Sequence, residues 1–527
     1  MRINRRMLLS GILVVMAMMQ IGLALRHSLW SDEVFSLAMA TGHSLEHPAA
    51  SANPALGDFV ESAGPVSAVE LRRYAEFESV PAGPRQVLRA VKLSDTSPPL
   101  YYLLLHIWTR SFGTSDLALR LFSILASLAC VPLIVALGRE IEDERAGWIA
   151  AGLFAMAPLS IYYSAEGRMY SLLWLAVVAT AHATLRLYRS GADFRWHSWW
   201  VICAAGGLLI HYYFVFPLCA MGLFLLCAPG SDKRLWLIAR SVAVIAGVMP
   251  WYWNFKDTLS QWRITQHWVE WKPEGYSRLI VLRDLFLQYF TGNGHYLWDA
   301  HRRAEMLALS VFVAIGFAAL WRWRTKFLQG PRLLPLLWFA AACLGPFVAD
   351  VARHTFIAEY PRYSSTALPA ACLLGGVLLA GLHSRAAWTC LLLIAIGWAP
   401  SVASIYQSRS RSDQPMRDVA RHISAYGSAD DLVLVHSIPS GVIGVARYVT
   451  TPGAFATWIG QLGNRRVPES LPLLLAGRRR VILVKVHTVG EPAPEETWLR
   501  EHANVVKEKR LAGAYITEFS PREGAHF

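Results

Sequence analysis

Recurring apolar stretches constrain the fold of this 527-residue chain more than any other feature. A transmembrane helix needs roughly 20 predominantly apolar residues, and stretches approaching this length recur from residue 7 to residue 406. Charged residues make up only 17% of the sequence, against roughly 25% in soluble domains. The pattern predicts a polytopic α-helical membrane protein of about 11–12 helices, in the stretches 7–25, 98–112, 117–138, 146–163, 169–188, 197–210, 211–228, 234–253, 303–320, 332–350, 361–381 and 386–406.

Basic residues between these stretches predict the orientation of the helices. Cytoplasmic loops are enriched in Lys and Arg, which accounts for the net charge of +13 without nucleic-acid binding. The Arg-rich start places the N-terminus in the cytoplasm, ahead of an uncleaved first helix. We take the basic loops near 139–145, 186–195, 233–234, 322–326 and 385 as cytoplasmic. Stretch 98–112 then begins and ends on the outer side of the membrane. The other eleven segments cross it, and the C-terminus is extracytoplasmic.

The chain divides into two predicted domains. Residues 1–406 form a multi-span membrane domain with outer loops at 26–97 and 254–302, and residues 407–527 form an extracytoplasmic domain. In the second domain helical and strand patterns alternate, which predicts a small α/β fold. It contains neither a GxGxxG motif nor a P-loop. Its predicted helices and strands are helices 415–427, 469–477 and 494–503, strands 432–435 and 481–486, and an edge strand at 514–519.

The cysteines indicate no metal centre. All seven lie inside apolar stretches, so the sequence has neither a disulfide framework nor a CxxC spacing. We therefore assign no metal ligand from the sequence, and a requirement for a divalent metal stays open.

Carboxylates at three places are candidate catalytic groups, and each has a structural alternative. Asp32 and Glu33 follow the first apolar stretch and suit either acid–base chemistry or capping of a helix, where acidic residues are favoured. Asp95 precedes two prolines and suits either chemistry or a cap and turn. Glu166 and Arg168 lie between two apolar stretches, where charges are costly and mark function by default. Their alternative is a mutual salt bridge.

Further polar and aromatic side chains fall on the same predicted face. They are candidates for substrate binding because they begin or interrupt apolar stretches: Arg120, Tyr170, His211, Arg362 and Tyr363. Carboxylates and arginines from separate segments are what a sugar transfer from a lipid phosphate needs. A carboxylate removes the proton of the attacking hydroxyl, and guanidinium groups stabilise the departing phosphate.

Six short blocks in this order resemble the GT-C glycosyltransferases. The similarity is to the protein mannosyltransferase-like group (glycosyltransferase family 39-like), which includes the lipid A aminoarabinose transferases and the Rgt-type galacturonosyltransferases. The resemblance extends over about residues 7–410. The blocks are Trp30-Ser31-Asp32-Glu33, Asp95 with Pro98-Pro99-Leu100-Tyr101-Tyr102, Phe112-Gly113 with Ala118-Leu119-Arg120-Leu121, Tyr163 to Tyr170, His211-Tyr212, and Pro361-Arg362-Tyr363 before Pro369.

The resemblance implies an inverting transferase of the bacterial inner membrane. It would move a sugar from a polyprenyl-phosphate donor to an acceptor hydroxyl (of a glycan, lipid or protein) on the extracytoplasmic face. It maps the catalytic acid to Asp32, and it places Arg120 and Arg168 near the carrier phosphate. Two positions depart from relatives. Ser97 stands where relatives often carry His before Pro-Pro-Leu, and Phe35 stands where aminoarabinose transferases have Arg, which argues against aminoarabinose as the sugar.

Two other functions are open alternatives. A transporter or flippase of lipid-linked glycans is expected to have internal repeats and broken helices near the bilayer midplane, and no repeat is evident here. A non-catalytic scaffold that presents residues 407–527 would explain the tail but not the set of acids and arginines.

Overall fold

The computed structural model is mostly helical and contains one six-stranded sheet. The chain forms two compact units. The helical unit comprises Met1–Ala24, Arg120–Phe255 and Val269–Gln407, and the sheet unit comprises Leu25–Leu119, Lys256–Trp268 and Ser408–Phe527. The predicted class, a polytopic helical membrane protein with a small C-terminal α/β domain, is confirmed. The structure describes residues 5–47, 52–95, 97–190, 193–227, 232–253, 268–272, 275–292, 302–323, 329–451, 453–488 and 492–522.

Helices account for nearly all of the helical unit. Most of the predicted outer loop 254–302 lies outside the described residues, apart from a short turn and the helix Arg278–Thr291. The α-helices are Arg5–Arg26, Asp116–Ile141, Glu144–Met156, Pro158–Ser164, Tyr170–Ser190, Phe194–Ile210, Val215–Leu226, Asp232–Tyr252, Arg278–Thr291, Arg302–Trp323, Leu333–Arg353, Pro361–Ser364, Ala367–Ala380 and Ser384–Gln407, and the 3-10 turns are Tyr212–Phe214, Trp268–Glu270 and Gly330–Arg332.

Several of these helices are long and apolar enough to cross a membrane. In the part of the chain that the structure describes, six qualify singly, and the pair Glu144–Met156 and Pro158–Ser164, bent by 61°, raises the number to seven. Each predicted apolar stretch coincides with helical residues, but the count of eleven crossings stays a prediction. The qualifying segments are Arg5–Arg26, Asp116–Ile141, Tyr170–Arg189, Leu235–Tyr252, Gly330–Arg353 and Ser384–Gln407.

Small residues allow two pairs of helices to pack closely. A Cβ atom on Gly376 would lie 2.5 Å from the carbonyl oxygen of Ala146, and one on Gly397 would lie 2.8 Å from that of Ala304. Helices in membranes associate through such small residues because lipid supplies no hydrophobic drive for association.

The sheet unit combines two distant parts of the sequence. Its strands are β1 (Val66–Ser67), β2 (Asp431–His436), β3 (Ala454–Trp458), β4 (Arg480–Val486), β5 (Ala503–Leu511) and β6 (Ala514–Pro521). Its α-helices are Ser31–Ala40, Ala68–Arg72, Pro84–Ser94, Leu100–Phe112, Met416–Tyr426, Pro439–Tyr448, Ser470–Leu475 and Pro494–His502, and its 3-10 turns are Pro54–Leu56, Arg73–Ala75 and Gly460–Leu462. β1 comes from the predicted loop 26–97 and pairs with β3, so the sheet is not built from the C-terminal segment alone.

The strand order is β1-β3-β2-β4-β6-β5. β3, β2 and β4 are parallel, and Leu434 lies opposite Ala456 and Leu483. β2 is buried along its whole length, as expected for a central parallel strand. The predicted edge strand at 514–519 is wrong in its position: β6 lies inside the sheet, because β5 pairs with its outer side. β5 was not predicted, since its run of Lys, Glu and Arg has no apolar alternation.

Candidate active site

The helix Ser31–Ala40 presents the first pair of candidate carboxylates. Its N-cap is Trp30, and Glu33 Oε2 accepts a hydrogen bond from the Trp30 N–H at 3.3 Å. Glu33 is fully buried. This contact is the reciprocal half of a capping box. It fits the capping alternative, and a catalytic role for Glu33 stays a prediction.

Asp32 lies on the same turn but in a different environment. Its side chain is partly exposed whereas that of Glu33 is not, and its carbonyl oxygen accepts the hydroxyl of Ser36 at 2.9 Å. Adjacent residues on a helix point about 100° apart, which follows from about 3.6 residues per turn. Asp32 is therefore the more exposed carboxylate of this pair, and its catalytic role stays a prediction.

Two side chains that the sequence did not single out hold the start of this helix. Gln414 Oε1 accepts the Ser31 N–H at 2.8 Å and the Ser31 hydroxyl at 2.7 Å. The hydroxyl oxygen of Tyr448 accepts the Leu29 N–H at 2.8 Å. No local sequence signal marks these partners, because they lie hundreds of residues further along the chain.

Asp95 occupies a turn. It follows the helix Pro84–Ser94 as its C-cap, and its carboxylate accepts the Ser97 N–H at 3.0 Å and the Tyr102 hydroxyl at 2.6 Å. These contacts fit the cap-and-turn alternative, because both oxygens serve to hold the entry to the helix Leu100–Phe112. A catalytic role for Asp95 stays a prediction.

The helical unit buries a charged pair in the chain between two helices. Glu166 and Arg168 are 1% and 7% exposed, and they separate Pro158–Ser164 from Tyr170–Ser190. The Arg168 N–H donates to the Glu166 carbonyl at 2.8 Å, and the Ser123 hydroxyl donates to the Arg168 carbonyl at 3.0 Å. Charged side chains buried between two apolar helices mark a candidate functional site.

Aromatic rings connect this turn with Arg362. The ring of Tyr163 contacts that of Tyr170 edge-on at 5.2 Å, and its hydroxyl lies within electrostatic reach of both Glu166 and Arg362. The Arg362 guanidinium lies over the ring of Tyr363 at 5.2 Å. The helical unit therefore brings three of the predicted residues, Glu166, Tyr170 and Arg362, around Tyr163, and a fourth, Tyr363, against Arg362. The sequence analysis quoted Tyr163 only as part of a motif.

His211 lies at the margin of the same group. Its ring centroid is 6.1 Å from that of Tyr363. Its Nδ1 accepts the Tyr213 N–H at 3.1 Å and so caps the turn Tyr212–Phe214. With Nδ1 as an acceptor, the ring hydrogen is on Nε2.

Arg120 is fully buried in the helix Asp116–Ile141, and its Nη1 donates to the carbonyl oxygen of Ala24 at 2.6 Å. This bond uses one of the five N–H donors of the guanidinium. It fits a structural role, and a role of Arg120 at a phosphate stays a prediction.

Sequence analysis missed Asp350, a fully buried carboxylate at the end of an apolar stretch. It accepts the Thr355 hydroxyl at 2.5 Å and the Ala358 N–H at 2.6 Å. These bonds fold the segment that leads to Arg362. The signal was available, since an ionisable residue within a predicted span marks a site.

No group of three or more His, Cys, Asp or Glu in the described ranges is arranged to hold a metal ion. Whether the protein requires a divalent metal must therefore be tested by experiment.

Comparison with known proteins finds one matching family model and similar solved folds. Residues 96–253 match the family model of the dolichyl-phosphate-mannose-protein mannosyltransferases. The fold is similar to that of ArnT from Cupriavidus metallidurans bound to undecaprenyl phosphate, with a TM-score of 0.58 and 14% identity over 97% of each chain. For apo ArnT the TM-score is 0.55, at 14% identity over 91% of this chain and 95% of that one. None of the curated protein sequences matches.

The comparisons therefore show a fold like that of ArnT and a match to the mannosyltransferase family model over residues 96–253. Both findings agree with the resemblance to the GT-C glycosyltransferases that the six sequence blocks carry.

Proposed function

We propose that the protein transfers a sugar from a polyprenyl-phosphate donor to an acceptor hydroxyl on the extracytoplasmic face of a bacterial inner membrane, with inversion at the anomeric carbon. The observation that carries this proposal is the buried charged turn of Glu166 and Arg168, grouped with Arg362 around Tyr163. The fold similarity to ArnT, whose crystal structure binds undecaprenyl phosphate, supports the class of donor.

Arg168 and Arg362 are the proposed ligands of the donor phosphate. A guanidinium matches phosphate oxygens with two parallel N–H bonds and keeps its charge when buried. The rings of Tyr360 and Tyr363 lie against Arg362 at 5.1 and 5.2 Å. These two ring contacts restrict where the guanidinium can lie. Arg120 is proposed as a further cation for the phosphate.

Asp32 is the proposed general base. It takes the proton of the acceptor hydroxyl while the hydroxyl oxygen forms a bond to the anomeric carbon. The bond between that carbon and the phosphate oxygen breaks, and the polyprenyl phosphate leaves with the electron pair. A single displacement of this kind inverts the configuration. Glu33 caps the helix that carries Asp32, and Asp95 holds the turn before the helix Leu100–Phe112. Tyr170, His211 and Tyr363 are proposed to contact the donor.

The extracytoplasmic location rests on the distribution of basic loops. It places the loop 26–97 and the C-terminal segment on the side to which lipid-linked sugars are delivered. The acceptor would be a glycan, a lipid or a protein of the cell envelope.

The test is sugar transfer in membranes that receive a panel of radiolabelled polyprenyl-phosphate sugars. We expect wild-type protein to transfer label from one donor, and Asp32→Asn to transfer it about 10²–10⁴-fold more slowly, since that is the usual contribution of a general base. The matched control is Asp418→Asn in the same unit, which removes a carboxylate whose described partner is the exposed Arg421.

Two outcomes would contradict the proposal. Full activity of folded Asp32→Asn would remove Asp32 from the mechanism. No transfer from any carrier by folded wild-type protein would reject the class of donor.

A further inference from the structure

We propose that the C-terminal segment 408–527 positions the catalytic base, with Gln414 and Tyr448 acting as positioning residues for Asp32. This inference rests on the proposed function, because it takes Asp32 as the base. It assigns a role in the reaction to a segment in which the sequence shows no catalytic motif.

Gln414 adds a distant hydrogen-bond acceptor to the local capping by Glu33 at the start of the helix Ser31–Ala40. The first N–H groups of any helix have no partner within the helix, and here the Ser31 N–H is satisfied by a residue 383 positions away. The same oxygen of Gln414 also accepts the Ser31 hydroxyl. Ser31 is fully buried and Gln414 is 3% exposed, so bulk water does not compete for these bonds in the intact protein.

The other end of the amide is also held. Gln414 Nε2 lies 3.1 Å from Nδ1 of His487, which directly follows β4 and has a φ of 49°. An amide nitrogen donates only, so His487 Nδ1 accepts, and this fixes the oxygen of Gln414 toward Ser31. A neutral His487 with its hydrogen on Nε2 satisfies the arrangement.

Tyr448 holds the chain on the other side of the N-cap. It accepts the Leu29 N–H and donates its own hydrogen to Asp116 Oδ2 at 2.5 Å. Arg447 Nε donates to the second oxygen of Asp116 at 2.9 Å. Burial and the nearby Asp116 carboxylate raise the pKa of Tyr448, so the phenol stays protonated and keeps donating.

The two contacts together determine where Asp32 points. They fix the backbone at residues 29 and 31, on either side of the N-cap Trp30 and immediately before the base. Without them the first helical turn would fray, since a buried N–H and a buried hydroxyl would lose their acceptor. A misplacement of a catalytic group by about 1 Å can lower a rate by about 100-fold.

The experiment measures sugar transfer by four variants of the full-length protein, using the donor that the panel assay identifies. Gln414→Ala and Tyr448→Phe each remove an acceptor, Ser31→Ala removes only the hydroxyl, and Gln414→Glu keeps an acceptor oxygen. We expect Gln414→Ala to lower kcat about 10–100-fold with little change in the KM for the donor. Tyr448→Phe and Ser31→Ala should lower kcat less. Gln414→Glu should keep much of the rate, because a carboxylate oxygen still accepts from Ser31 and His487 can donate to the other oxygen once its hydrogen moves to Nδ1.

Rates are expressed per folded protein, measured by thermal unfolding and size-exclusion chromatography. Gln461→Ala, at a half-buried glutamine of the same unit, is the control that should leave kcat unchanged. A kcat for Gln414→Ala equal to that of wild type overturns the inference. A loss of total activity that is fully explained by a smaller amount of folded protein overturns it as well. If Gln414→Ala does not fold, Ser31→Ala and Gln414→Glu decide by the same measure.

The two proposals fail in distinguishable ways. If Asp32→Asn is inactive but the Gln414 and Ser31 variants are as active as wild type, the positioning role is wrong and the general base stands. If Asp32→Asn is fully active, the general base is wrong and the positioning role falls with it.

Discussion

At the scale of single residues, burial separates the two neighbouring carboxylates of the first helix. Glu33 is fully buried and accepts the N-cap N–H, whereas Asp32 is partly exposed. The sequence could indicate that this pair mattered but not which of the two was accessible, because that depends on how the helix is rotated. It also could not indicate Gln414, whose contact with Ser31 joins residues far apart in the chain.

Replacing Arg168 by Lys tests whether its shape matters as well as its charge. Lys keeps the positive charge but loses the planar fork that binds two phosphate oxygens at once. We expect Arg168→Lys to lower kcat/KM for the lipid-linked donor about 10–100-fold, which corresponds to the loss of one strong charge-assisted hydrogen bond. Steady-state transfer kinetics measure this.

Arg421→Lys is the control for that exchange, since Arg421 is largely exposed and pairs with Asp418. Its kinetics should match those of wild type. Equal kcat/KM for Arg168→Lys and wild type would mean that Arg168 does not bind the phosphate.

At the scale of helices and strands, the apolar pattern predicted the membrane segments well and the sheet unit less completely. The helix Pro439–Tyr448 was missed because it contains Gly441 and Gly444, which disfavour helix. Buried packing of this helix compensates for that cost. β3 is only five residues long and forms between β1 and β2, so its identity as a strand depends on neighbours that the local sequence does not reveal.

Close helix packing makes Gly376 sensitive to a single added methyl group. A Cβ atom there would lie 2.5 Å from the Ala146 carbonyl oxygen and 2.9 Å from the Cβ of Ala150. Backbone atoms cannot move aside easily, so we expect Gly376→Ala to lower the free energy of unfolding by about 1–3 kcal/mol. Thermal unfolding in detergent should give a lower midpoint than for wild type.

Gly222→Ala is the matched control, because a Cβ atom on that helical glycine has no neighbour within 4 Å. Its midpoint should equal or exceed that of wild type, since alanine favours helix over glycine. The packing argument is wrong if the two variants unfold at the same temperature.

At the scale of the whole molecule, the chain combines apolar helices with a sheet unit that buries several histidines. Three buried histidines of the sheet unit, His43, His47 and His422, have a pKa below the ordinary value, chiefly because burial disfavours the charged ring. The contacts of His47 suit a neutral ring: Nε2 lies 2.8 Å from the Phe59 carbonyl oxygen and Nδ1 lies 3.0 Å from the Ser44 hydroxyl.

These histidines predict loss of stability in acid. Below about pH 6.5 the unfolded chain binds protons that the folded chain does not, so the free energy of unfolding decreases as the pH falls. We expect the thermal midpoint of the full-length protein to fall between pH 7.5 and pH 5. His47→Gln should show a smaller fall, whereas the exposed His383→Gln should behave as wild type. An unchanged pH dependence in His47→Gln would contradict the assignment.

The long-range contact between Ser31 and Gln414 also has a consequence for biosynthesis. Ser31 is translated 383 residues before its partner, which at about 5–20 residues per second is an interval of roughly 20–75 seconds. During this interval the nascent chain already has its proposed base but not the amide that orients it. A chain that ends before residue 414 therefore contains Asp32 but lacks the hydrogen bond between Ser31 and Gln414. If Gln414 orients the base as proposed, such a chain is inactive in sugar transfer.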